Sequence, residues 1–138
     1  MTDSVIIAQL IEHEGMRLKP YKCPAGKTTI GIGRNIEDNG ITEEEAIYLL
    51  KNDIAICVID LQKIFDGRFW ALPEIAQRVL VDMRFNLGGA GFRKFKKMIA
   101  AINANDFMTA ALEMKNSRWS EQVGNRAKTL IQMMLKAV

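Results

Sequence analysis

A single histidine, two cysteines and no long apolar run set the first limits on this chain of 138 residues. His13 alone excludes a histidine-rich metal site, and His13-Glu14 does not open an HExxH zinc motif because Arg17 stands where the second histidine would be. Gly31-Ile32-Gly33-Arg34 lacks the third glycine and the following helix of a dinucleotide loop; no P-loop lysine and no GxSxG nucleophile turn are present. No metal and no cofactor are therefore expected. Cys23 and Cys57 lie in dissimilar contexts without metal-type or redox-type spacing, so two free thiols are expected rather than a disulfide. No stretch approaches the roughly 18 to 20 apolar residues of a membrane span, and residues 1–11 have neither a basic start nor a cleavage site. The expectation is a chain made and folded in the cytoplasm.

What the chain does contain is 49% apolar residues, enough to bury a core in one compact domain or in two lobes sharing a helix. The eight methionines fall mostly on apolar helix faces and read as core. Charge is uneven: residues 1–66 hold 7 Lys/Arg against 11 Asp/Glu, and residues 67–138 hold 12 against 5, so the halves are net −4 and +7. A basic surface centred on Arg93, Lys94, Lys96 and Lys97 suits an anionic polymer, whether nucleic acid, a membrane face or an acidic glycan, and equally reads as a solvated helix face.

Periodicity orders the chain. Ser4 can cap a helix carrying Val5, Ile7, Leu10 and Ile11, which Gly15 can end in a left-handed conformation. Residues 17–22 and 27–32 are short and strand-tolerant, joined by a Pro-Ala-Gly turn at 24–26, and Asn39-Gly40 marks a further turn. Thr42 and Glu45 form a capping box ahead of an apolar stripe through Ala46, Leu49, Leu50, Ile54, Cys57, Val58 and Leu61. Pro73 suits a first helical turn, and Gly88-Gly89 should stop that helix. Helices are then predicted over 92–103, over 105–116 with Asn105 as cap, and over 125–137. The fold class is α+β: a small β-hairpin lobe, a long connecting helix and a mainly helical lobe. A cleft between such lobes is where a ligand is expected.

One acid stands out within EHEGMRLKPYKCPAGKTTIGIG, residues 12–33. Glu14 falls in the last turn of the first helix, where the negative end of the helix dipole and any burial beside apolar groups favour its protonated form, as a general acid needs. Taken alone, a glutamate before a glycine also reads as a solvated helix end.

The sequence resembles the phage-type lysozymes. That family's pattern is a glutamate after the first helix, eight residues, Asp or Cys, five residues, then Thr in a TIGIG-like strand. Here it reads Glu14, residues 15–22, Cys23, residues 24–28, and Thr29-Ile30-Gly31-Ile32-Gly33. Further matches in order are Gly40-Ile41-Thr42, Phe85-Asn86-Leu87-Gly88, Ser117-Arg118-Trp119 and Asn125-Arg126-Ala127. The resemblance implies a single lysozyme-like domain over 1–138, with a small lobe about 15–45 and a helical lobe about 66–138 that includes the N-terminal helix. It implies an endolysin muramidase that hydrolyses the β-1,4 bond between N-acetylmuramic acid and N-acetylglucosamine with inversion. By position, Glu14 is the general acid, Thr29 helps hold the attacking water, and Cys23 replaces the usual aspartate. Phe85, Asn86, Leu87, Arg118 and Gln122 would line the glycan cleft; Arg126 would pair with Glu14, and Arg34 with Asp53. Implied partners are peptidoglycan strands and a holin or other permeabilising protein for release to the periplasm, with no nucleic acid and a monomeric chain.

The sequence departs from the family in a shorter segment between Gly33 and Thr42, an earlier end after Arg126, and valine at position 123. Cys23 has three readings: a neutral thiol that helps orient a water held mainly by Thr29, a thiolate base if a cation or amide lowers its pKa, or a side chain that merely fills space. With no lysine or arginine clearly placed to hold a thiolate, the neutral thiol is the expectation. Because a second carboxylate is absent, a lytic transglycosylase is the rival enzyme. A non-catalytic glycan-binding or membrane-disrupting basic protein is the rival outside enzymology.

Overall fold

The computed structural model describes residues 2–137. Its contacts divide the chain into two compact units, Met1–Tyr48 and Leu49–Val138. The elements are α+β as expected: a three-stranded antiparallel sheet and, among the described residues, eight α-helices.

In the first unit α1 spans Asp3–Glu14. It starts one residue ahead of the predicted cap: Thr2 precedes it in extended conformation without a side-chain bond, and Asp3 in the first turn complements the helix dipole. Gly15 ends it as expected, with φ 75° and its N–H on the Ile11 carbonyl at 2.8 Å, although ψ of 172° extends the chain rather than coiling it left-handed. The sheet runs β1 (Arg17–Lys22), β2 (Thr28–Gly31), β3 (Arg34–Asn35), in that order. Its register slips between Arg17↔Gly31 and Tyr21↔Thr29, across the segment that holds Pro20. Proline has no N–H for the ladder, so an edge strand with an irregularity is where it can sit. A single turn of helix, α2 (Ile36–Asn39), was not anticipated; the Asn35 side chain caps it by accepting from Asp38 N–H at 3.1 Å.

The predicted capping box opens α3 (Glu43–Ile64): Thr42 N–H donates to Glu45 Oε1 at 2.8 Å, and Glu45 N–H donates to Thr42 Oγ1 at 3.1 Å. Its expected stripe is buried only toward the C-terminal end, at Cys57 and Leu61, while Leu49, Leu50 and Ile54 are exposed. The division into units runs through this helix and groups α1 with the strands, whereas the sequence reading placed α1 with the helices.

The second unit holds the buried core, where Leu61, Phe65, Phe69, Leu80, Met83, Phe92, Met98, Met114 and Met134 are enclosed. Methionine serves as core filler at four of these positions, while Met16 and Met108 are exposed. Helix α4 (Glu74–Arg93) follows Pro73 and is interrupted at Gly88, where the sequence placed its stop, by a non-helical φ of 74° and ψ of 173°; a short helical stretch then runs on to Arg93. The helix predicted over 92–103 begins later, as α5 (Lys96–Asn103), because the preceding helical stretch runs on to Arg93 with Phe92 buried in the core. The cap of α6 (Phe107–Lys115) is Asp106 and not Asn105: Asp106 Oδ1 accepts from Thr109 N–H at 3.0 Å, and Asn105 takes φ 56°, a conformation asparagine tolerates. Helix α7 (Arg118–Val123), capped by Ser117, was not read from the sequence; α8 (Asn125–Leu135) was. Among the described residues no helix is long and apolar enough to cross a membrane.

Candidate functional site

The sheet of the first unit brings Cys23 and Thr29 together. Cys23 follows β1 and turns back on itself, donating its N–H to the Lys27 carbonyl at 3.0 Å, while Gly26 N–H donates to the Cys23 carbonyl at 2.8 Å. Thr29 is buried, with Oγ1 donating to the same Lys27 carbonyl at 2.9 Å. The Lys27 amide lowers the thiol's pKa below its ordinary value, opposed in part by burial and assisted by the Ala25 amide and the Thr29 hydroxyl. The Thr29 hydroxyl has one proton and two acceptors beside it, the Lys27 carbonyl and the sulfur, so ionisation of the thiol favours its rotation toward sulfur. Lys22, the nearest lysine in sequence, is turned away to Thr28 Oγ1 at 2.7 Å and Glu37 at 3.5 Å. Amides, and no cation, supply the polarisation that the sequence left open.

Glu14 reaches the sheet at the β2–β3 connection. A Cβ placed on Gly33 would lie 2.6 Å from Glu14 Oε2 and 3.0 Å from its Cδ, so the carboxylate rests on bare glycine backbone. Glu14 is exposed; it closes α1, a helix that buries none of its residues.

Arg34 and Arg126 each have an acid partner within their own unit. Within the first unit Arg34 binds Glu45, with Nη1 on Oε1 at 3.0 Å and Nη2 on Oε2 at 2.8 Å, and Nη1 also donates to the Gly40 carbonyl at 3.2 Å. Glu45 is in the first turn of α3; Asp53, in the second unit, lines a small pocket with Ile56, Cys57, Arg84 and Phe85. The bidentate fork, ahead of the Thr42 amide, lowers the Glu45 pKa to about 2. Arg126, expected opposite Glu14, has Asp82 as its partner: Nε donates to Oδ1 at 2.7 Å and Nη2 to the backbone carbonyl at 3.3 Å, because α4 and α8 pack side by side.

In the second unit, Leu87, Arg118 and Gln122 line a groove of about 660 Å³ together with Phe95 and the basic residues Lys94, Lys96 and Lys97. Most of the basic run marked in the sequence thus borders a groove. Arg93 does not; it turns to Asp60. Asn86 forms the join behind the groove, its side-chain oxygen accepting from the buried Trp119 indole N–H at 2.9 Å, and Trp119 meets Phe95 edge-on at 6.1 Å. Phe85 is not with this set: it lines a separate, mainly apolar groove of about 720 Å³ with Leu50, Ile54, Trp70 and Arg126.

A group that sequence reasoning missed is Asp60, which receives Arg84 Nε at 2.6 Å from one side of the Gly88 kink and the Arg93 guanidinium from the other. Arg93 first, then Arg84, hold its pKa at about 2. An acid on an otherwise apolar face of α3, one residue before the buried Leu61, was the available signal. Cys57 is also buried, which pushes its thiol pKa up.

Residues 11–133 match the family model described as Phage lysozyme. The chain is 26% identical over 146 residues to "Probable T4-type lysozyme 2" of Dictyostelium discoideum, covering 86% of each. It is 30% identical over 128 residues to "Endolysin" of Acyrthosiphon pisum secondary endosymbiont phage 1, covering 90% of this chain and 83% of that one. Over 153 residues it is 31% identical to the "Pre-baseplate central spike protein Gp5" of Enterobacteria phage T4, covering 91% of this chain and 27% of that protein. With a match that takes in the Glu14, Cys23 and Thr29 segment and runs on into α8, the chain belongs to the phage lysozyme family and is a glycoside hydrolase that degrades peptidoglycan.

Proposed function

We propose that this lysozyme cleaves the β-1,4 bond between N-acetylmuramic acid and N-acetylglucosamine with inversion, Glu14 being the general acid and Cys23 with Thr29 holding the attacking water. The observation that carries this reading is the layout of the small sheet. Glu14 lies on Gly33 at one end of the β2 region, and Cys23 shares the Lys27 carbonyl with Thr29 toward the other. Gly33 and Thr29 are four residues apart, at most about 13 Å of strand, which leaves room for a sugar and a water between the two groups.

Glu14 gives its proton to the glycosidic oxygen as the C1–O bond breaks. Water adds to C1 from the opposite face and loses a proton to the Cys23 thiolate where that is ionised, or otherwise to solvent past Thr29. The lowered pKa of Cys23 keeps the thiolate role open beside the neutral thiol that the sequence favoured. Arg118, Gln122 and Leu87 bind glycan in the basic-rimmed groove, and Phe85 offers a separate exposed apolar contact.

Digestion of purified peptidoglycan by the parent and Glu14→Gln proteins, read by mass spectrometry and by proton NMR of the first-formed anomer, tests this. Reducing ends of inverted configuration, absent with Glu14→Gln, are expected. Anhydro-muramic ends would assign a lytic transglycosylase instead. For Cys23, the ratio of parent to Cys23→Ser activity should rise with pH in the range just below the ordinary thiol value. A flat ratio would limit Cys23 to orienting water, and equal rates for the Ser, Ala and Asp variants would remove any chemical role.

A further inference from the structure

Gly31 and Gly33 look alike in sequence and in backbone, with φ of +71° and +66°, values that side-chain-bearing residues rarely adopt. Their surroundings separate them. A Cβ on Gly31 would meet nothing within 4 Å, so that position needs glycine for its conformation alone. On Gly33 it would meet Glu14 Oε2 at 2.6 Å, Cδ at 3.0 Å and Cγ at 3.1 Å, three atoms of one carboxyl arm.

We propose that Gly33 is a positioning residue for the acid: its bare backbone is the floor that sets the height and direction of the Glu14 carboxyl. This deepens the assignment of Glu14 as general acid and rests on it. Within the first unit the contact has little competition. Glu14 ends α1, Gly15 turns the chain away at φ 75°, and among the described residues of that unit no hydrogen bond or ion pair holds the carboxylate. Packing against Gly33 is then what restricts the side chain.

A methyl at position 33 would sit about 1 Å inside van der Waals contact with Oε2. The clash falls on the far end of a flexible, exposed side chain, so the carboxylate swings away and the strand connection survives. Positive φ adds a conformational cost, and the same cost applies at Gly31. Loss of catalysis belongs to position 33 only, since a displacement of about 1 Å of a catalytic group costs on the order of 100-fold in turnover.

The test compares Gly33→Ala with Gly31→Ala, and Glu14→Gln accompanies both, on isolated peptidoglycan. Gly33→Ala should lower kcat about 100-fold with KM unchanged. Gly31→Ala should keep kcat within a few-fold while melting at a similarly reduced temperature. Equal kcat losses at the two glycines, or a Gly33→Ala loss confined to KM, would overturn the proposal. Should Gly33→Ala melt below Gly31→Ala, or fail to fold, the excess damage must disappear in a Glu14→Ala background, where no carboxyl arm remains; damage that persists there also overturns it. An active Glu14→Gln removes the general-acid reading and this inference together, whereas an inactive Glu14→Gln beside a fully active Gly33→Ala removes only the role of Gly33.

Discussion

Replacing Asp60 by asparagine removes a charge that two arginines share across a kinked helix. Asp60 and Arg84 have side chains only 16% exposed, and Arg93 is 47% exposed. The arginines hold the Asp60 pKa at about 2 against an ordinary 3.8, a shift worth roughly 2 kcal/mol at 1.36 kcal/mol per unit, with some discount for the open side of Arg93. Removing the acid also leaves the part-buried Arg84 guanidinium without its counter-charge, which keeps the cost from falling lower. For a chain of this length about 2 kcal/mol is roughly 8 °C in melting temperature. The sign with pH follows from the lowered pKa. The contribution is complete above the ordinary carboxylate value and is lost as pH falls through the folded-state value, so the gap between parent and Asp60→Asn should be constant from pH 7 to 5, narrow below pH 4 and nearly close at about pH 2. Thermal melts followed by circular dichroism at stepped pH measure this directly. A gap under about 2 °C at pH 7, or one that does not narrow by pH 2.5, would refute the clamp as a source of stability.

Glu45 also has a pKa of about 2, but the pair with Arg34 is open to water on both sides, with side chains 40% and 42% exposed. Glu45→Gln should therefore lower the melting temperature less than Asp60→Asn, and its effect should shrink in 1 M salt while that of Asp60→Asn largely remains; the reverse order would mean that burial does not govern these pairs. Asn86→Ala leaves the buried Trp119 indole N–H unpartnered, at a cost of about 1–3 kcal/mol with a change in near-ultraviolet dichroism, checked by urea titration; an unchanged midpoint would show that water replaces the amide.

Local chemistry accounts for what was legible in advance. The Thr42–Glu45 capping box, the Gly15 stop and the hairpin around 24–26 depend on residues at most a few positions apart, and all are found where the pattern placed them. Errors cluster where two local signals compete. Asn105 and Asp106 are both cap formers, and the left-handed turn took asparagine while the cap took aspartate. The helical stretch after the Gly88 stop was not legible either, because Asp60, 33 residues from Arg93, is what holds it.

The order of Glu14, Cys23 and Thr29 along the chain, the helix and strand periods around them and the α+β class were determined by the sequence itself, because each follows from spacing within a single element or turn. Tertiary structure decided which acid each arginine meets. Arg34, Arg93 and Arg126 had sixteen carboxylates to choose from, and their partners lie 11, 33 and 44 residues away, separations over which periodicity carries no information. It also decided that peptide amides lower the pKa of Cys23, and that Gly33 and not Gly31 lies beneath the Glu14 carboxylate. Two glycines of similar φ, one in the β2 ladder opposite Arg17 and one in the turn after it, differ in what another segment lays against them.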